Sequence, residues 1–148
     1  MIRTRKGKLL VACGVVVFLA ISGLLARWLA LENIERDDIV TLLQAEARGD
    51  ANAMLAQLHG CDRYCRANVV RVARRLKRPG SVLILADQSQ TAYSLTSSVG
   101  DTRVAWKATR SRLPVVQCVR VERTGNVLSG LVIRLLAVSA PIPDTADC

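Results

Sequence analysis

From Leu9 to Ala26 the chain reads LLVACGVVVFLAISGLLA without a charge, whereas later apolar stretches are broken into short periodic pieces. At about 1.5 Å of rise per residue such a helix covers roughly 27 Å, close to the ~30 Å hydrocarbon core of a bilayer. Trp28 to Leu31 extend it into the interface. The pattern predicts a cytoplasmic basic tail over residues 1–8 and a transmembrane helix over 9–31.

Between Ile34 and Leu58 the apolar spacing is helical, first through Ile34, Ile39, Leu42, Leu43 and Ala45, then through Met54, Leu55 and Leu58. Arg48-Gly49-Asp50 separates the two sets, with Gly49 suited to end one helix and Asp50 to cap the next. Helices are predicted over about 34–48 and 51–59. Asp62 is placed to cap a third over about 63–78, where Cys65, Val69, Val72, Ala73 and Leu76 form one apolar stripe, and Pro79-Gly80 stops it.

After Gly80 the period becomes two. Val82 to Ala86, Thr91 to Leu95, Val104 to Ala108, Val115 to Arg123 and Leu128 to Ser139 read as strands, with turns near Gln88, Gly100 and Arg112. Thr124-Gly125-Asn126 is a hairpin-type turn sequence between the last two. On the final strand strict alternation sets Leu131, Ile133 and Leu135 on one side and Val132, Leu136 and Val138 on the other. Helices first and an antiparallel meander of four to five strands afterwards predict an α+β class, with three helices packed on one face of the sheet. Residues 32–139 form this domain, and 140–148, with two prolines, an extended tail.

Charge then orients the chain. Arg3, Arg5, Lys6 and Lys8 precede the apolar helix and few cations closely follow it, so the positive-inside bias predicts a cytoplasmic N-terminus and an extracytoplasmic domain. Arg27 and Trp28 suit the membrane interface as a snorkelling cation and a belt aromatic. A cleavable signal peptide fits less well, since the apolar run exceeds the usual ~7–15 residues and no small-x-small site is well placed. Leu10-Val11-Ala12-Cys13 resembles a lipobox, yet the long hydrophobic run would lie on the wrong side of the cut.

The net charge of +9 is partly a property of the anchor, because residues 1–31 hold five cations and no acid, leaving 16 cations against 12 acids beyond. With 17 arginines to 4 lysines, a GC-rich bacterial source is expected. Beyond residue 31 the aromatics are Tyr64, Tyr93 and Trp106, too few for stacking platforms, so nucleic acid is not an expected partner.

The element order, with QAEARGDANAMLAQL at Gln44 to Leu58, resembles the nuclear transport factor 2-like superfamily of cystatin-like α+β cones. That resemblance implies a curved antiparallel sheet wrapped around the helices. One N-terminal anchor joined to such a domain is similar to the Mce-associated membrane proteins of high-GC bacteria, and to single-pass scaffold subunits of type IV secretion systems. Both resemblances imply assembly or support of an envelope machine, with membrane lipid and envelope proteins as partners. A lipid or other apolar ligand inside the cone is the alternative, and a small enzyme a weaker one.

Candidate chemistry is sparse. His59 is the sole histidine, Asp87 and Asp101 fall at predicted turns, and Glu122 alternates outward, so no catalytic, cofactor-binding or metal-binding residue is expected. Arg63, Arg66, Arg71, Arg74, Arg75 and Arg78 give the third helix a basic face for an anionic partner, or simply for water. Cys61, Cys65, Cys118 and Cys148 are an even number in a compartment where disulfides persist. If Asp62 caps the third helix, Cys61 and Cys65 can meet, leaving Cys118 to tie the tail through Cys148. A zinc site on His59, Cys61 and Cys65 lacks a second knuckle.

Overall fold

No proline or glycine stands between Gly23 and Gly49, so nothing stops the backbone where the polarity changes. In the computed structural model α1 accordingly runs from Arg5 to Arg48 without a break, so that the expected helices at 9–31 and 34–48 are one. The structure describes residues 5–90, 97–126 and 130–148, and the side chains of all these except 5–6, 27–32, 126 and 131. Arg3, Arg5, Lys6, Arg27, Trp28 and the expected strand at Thr91 to Leu95 therefore lie outside the described side chains or residues.

The chain divides into two units, Met1–Ile34 and Glu35–Cys148. In the first, Gly7–Ala26 is long and apolar enough to cross a membrane, and Leu10, Val16 and Phe18 are exposed. The second holds the last turns of α1, then α2 (Ala51–Gln57), α3 (Arg63–Arg75) and four strands: β1 (Val82–Ser89), β2 (Ser98–Ala108), β3 (Val115–Asn126) and β4 (Gly130–Val138). Strand order is β1-β2-β3-β4 with every neighbour antiparallel, an open meander, and the class is α+β.

Local chemistry accounts for the helix ends. Gly49 takes φ 75°, its N–H donates to Glu46 O at 2.8 Å, and Asp50 N–H donates to Ala45 O at 2.9 Å, the paired bonds of a Schellman stop. Asp50 Oδ1 then accepts from Ala53 N–H at 3.0 Å and opens α2, as Asp62 Oδ1 accepts from Cys65 N–H at 2.8 Å and opens α3. Leu58 leaves α2 early to form a parallel bridge with Leu135, which shortens that helix.

Three strand expectations are corrected. Gln88 and Gly100 lie within β1 and β2 rather than at turns, because Gln88 pairs with Arg103 and Gly100 with Val121; Asp87 and Asp101 are thus strand residues. Thr124, Gly125 and Asn126 continue the ladder, opposite Val132, Leu131 and Gly130, rather than forming the turn. A bulge at Leu136, between the Arg120–Ala137 and Val121–Leu135 pairs, shifts the phase of β4. Leu135 and Val138 therefore both face the core, at 3% exposure each, where strict alternation had them on opposite sides.

All three helices pack on one face of the sheet. Ile39, Leu42 and Leu43 of α1, Met54 of α2, and Val69 and Val72 of α3 share one core with Val104, Trp106, Val119 and Val121. A polar cluster is built into it. Glu35 and Arg123 form a buried ion pair, with Arg123 Nη2 at 2.7 Å and Nε at 2.9 Å from the carboxylate, which also accepts from Thr102 Oγ1 at 2.8 Å. Arg123 Nη2 further donates to Ser89 Oγ at 3.0 Å, so one cluster joins α1 to β1, β2 and β3.

Removing one member of such a pair strands the other charge, whereas removing both does not. Arg123→Met is expected to cost roughly 3–5 kcal/mol, and Glu35→Leu combined with Arg123→Met to return most of it. Denaturant unfolding of the full chain in detergent reads both, and equal losses in the two proteins would place the energy elsewhere.

Candidate interaction surface

The stripe that α3 buries dictates what it shows. Val69, Val72 and Ala73 are at most 1% exposed, so the opposite arc carries Arg63, Arg66, Arg71, Arg74 and Arg75, all exposed, with Ala67 and Tyr64 among them. From Arg63 to Gly80 there is no acid. Arg78, expected on the same face, is diverted: it donates through Nη1 to Ser111 Oγ at 2.9 Å and Leu113 O at 2.6 Å, and through its backbone N–H to Ala47 O. Of the membrane-interface anchors expected, Lys8 is described, and it is exposed.

The helix is held in place at its start. Cys61 and Cys65 are disulfide-bonded across the Asp62 cap, with Cα atoms 5.3 Å apart, and Asn68 Nδ2 donates to Val138 O at 2.8 Å. The His59 side chain is exposed, while its backbone N–H donates to Leu135 O at 2.8 Å. The Cys61 and Cys65 sulfurs are bonded to each other, and among the described residues no three His, Cys, Asp or Glu side chains converge as metal ligands would.

On the other face of the sheet the tail is fastened. Ser139 N–H donates to Cys118 O and Ile142 N–H to Val116 O, each at 2.8 Å, extending the β4 side of the ladder. Cys118 is disulfide-bonded to Cys148, with Cα atoms 5.7 Å apart. Arg103 Nε donates to Ala146 O at 3.0 Å and its Nη2 to Asp144 O, with the Asp144 carboxylate 3.6 Å away. A shallow groove of about 280 Å³ opens beside the tail, against Leu76, Arg78, Val115 and Ile142. A second, of about 430 Å³, runs along Asn52, Leu55 and Arg66.

Glu46 is the group the sequence reading passed over. It has no exposed surface; its Oε1 accepts from Gln117 Nε2 at 2.9 Å, and Gln117 in turn accepts from Trp106 Nε1 at 2.6 Å and donates to Ser139 O at 3.0 Å. Oε2 has no hydrogen-bond partner. Burial raises its pKa to about 7, against a smaller lowering by the Gln117 bond. That value would suit acid–base work, but the side chain has no exposed surface and packs within the core. A signal existed, since Glu35 and Glu46 stand four before Ile39 and four after Leu42, on the apolar stripe itself.

No protein-family model, no curated protein and no solved structure matches the chain. The surface therefore speaks through its chemistry. Five exposed guanidinium groups on one rigid helix can engage carboxylates or phosphates, each through two parallel N–H donors.

Glu46 also makes stability depend on pH. Its folded pKa lies above the usual carboxylate value, so its contribution is full below about pH 4.5 and lost as pH rises through about 7. Glu46→Gln should flatten that slope, making the variant more stable than the parent by about 3 kcal/mol at pH 8 relative to pH 4. Unfolding curves at the two pH values check it.

Proposed function

We propose that this chain is a single-pass membrane protein whose domain lies outside the cytoplasm and works as a noncatalytic interaction or assembly module of a bacterial cell envelope. The observation that carries this reading is the joining of one apolar, membrane-length segment to a domain holding two disulfides. Disulfides persist in oxidising compartments, and the cations before the span favour a cytoplasmic N-terminus. The helices-then-sheet order keeps the nuclear transport factor 2-like resemblance as the working description of the domain. Envelope proteins and the bilayer itself are then the partners.

The interior favours this reading over a ligand carrier. Leu42, Leu43, Met54, Trp106, Val119 and Val121 are fully enclosed among the described residues, and both grooves lie at the surface rather than within the core. A lipid would need space that these side chains fill.

Fusions at the C-terminus test the orientation. A periplasmic alkaline phosphatase reporter should be active and a cytoplasmic fluorescent reporter dark, and thiol labelling of the denatured, unreduced protein should find Cys13 alone. A bright fluorescent fusion with five labelled thiols would overturn the extracytoplasmic assignment.

A further inference from the structure

The geometry points to the arginine face of α3 as a docking surface for the acidic surface of a protein partner, an inference that rests on the interaction-module reading and gives it a site. Within the helix these arginines work against one another. Arg63 and Arg66 sit in the first turn, which holds no acid, at the positive end of the helix dipole. Arg63 and Arg66, Arg71 and Arg74, and Arg71 and Arg75 are like-charged neighbours at i,i+3 or i,i+4 spacing, which opposes helix formation.

The Asp62 cap offsets part of this at the helix start, and Arg74 and Arg75 suit the negative end of the dipole, but the like-charge pairs themselves are left unanswered. Among the described residues none of the five forms an ion pair, and of their side chains that of Arg66 alone makes a hydrogen bond, from Nε to Cys61 O at 3.3 Å. Elsewhere some cations meet acids, Arg103 beside Asp144 and Arg134 at 3.9 Å from Glu122, while Arg110, Arg112 and Arg120 stand singly or in pairs rather than as an array of five. Like-charge neighbours left unanswered, on an element pinned by a disulfide and by the Asn68 bond, mark a surface completed by something else. Carboxylates are that complement, and Arg63 to Arg75 spans about 18 Å, the length of three helical turns of a partner.

The faces of the helix favour a protein over the bilayer. Val69, Val72 and Ala73 are taken up by the core, so the exposed arc is cationic and has no apolar stripe with which to enter a lipid interface.

A photo-reactive benzoylphenylalanine at Ala67, exposed among the arginines, tests the proposal in the full chain within native membranes. Irradiation should give an adduct whose cross-linked partner segment, sequenced by mass spectrometry, carries clustered Asp and Glu. Arg71→Glu with Arg74→Glu should lower its yield at least about ten-fold, while the same reversal at Arg110 and Arg112 leaves it unchanged. The α3 reversal should melt close to the parent, since it makes the 71/75 pair attractive and leaves the 71/74 pair like-charged, which separates lost docking from lost folding. Adducts with phospholipid alone, a protein adduct indifferent to the reversal, or no adduct would each overturn the inference. Carbonate extraction of the same membranes reads the anchor independently: a charge-dependent adduct to an acidic segment in the soluble fraction would sustain the docking surface and remove the span.

Discussion

A carboxylate and a guanidinium enclosed together, Glu35 and Arg123, set the constraint on which the rest of the domain depends. Burying both charges recovers little net free energy, but any arrangement that separates them is heavily penalised, so the pair acts on specificity more than on stability. It fixes where α1 meets β3. Eleven residues later Glu46 meets Gln117 on the same strand, six residues earlier in the chain, so helix and strand run oppositely and are pinned at two points. The spacings agree, about 16 Å of helix against about 20 Å of strand. Between the pins Ile39, Leu42 and Leu43 need only be apolar and of fitting size, which is how an aliphatic core with one tryptophan holds a single register.

Much of this was legible because it is local. Gly49, Asp50 and Asp62 announce helix ends through chemistry confined to four or five residues, and the 3.6-to-2 change of period at Gly80 marks the passage from helices to sheet. The cysteine partners followed from proximity and from the even count. What escaped the sequence was non-local or phase-shifting. No residue type in β4 signals that Leu136 will be the extra residue of a bulge, and the continuity of α1 through its polarity change appears once no breaker is found. The inward acids Glu35 and Glu46 were visible on the stripe, but their meaning required Arg123 and Gln117, more than 70 residues away.

The two faces of the sheet divide the labour. One supports the helices and, through the loop at His59 and the side chain of Asn68, fixes α3 at a set height. The other is crossed by the tail, which satisfies Arg103 and extends the hydrogen-bonding of β3 past the end of β4. The tail and the helix staple are thus two separate covalent ties on one domain, each on a segment too short to be held by burial alone. Among the described residues the strip on α3 is an array of five cations that this architecture leaves without an ion pair.

The sheet is also asymmetric at its margins. The β4 edge is engaged by Leu58 and His59, while β1 is the opposite edge and carries a bulge at Leu85. Both margins are thus interrupted, one by the Leu58 bridge and the other by the bulge, and an interrupted edge pairs poorly with a foreign strand. Copies of the domain brought close together therefore meet at margins that resist strand-to-strand growth.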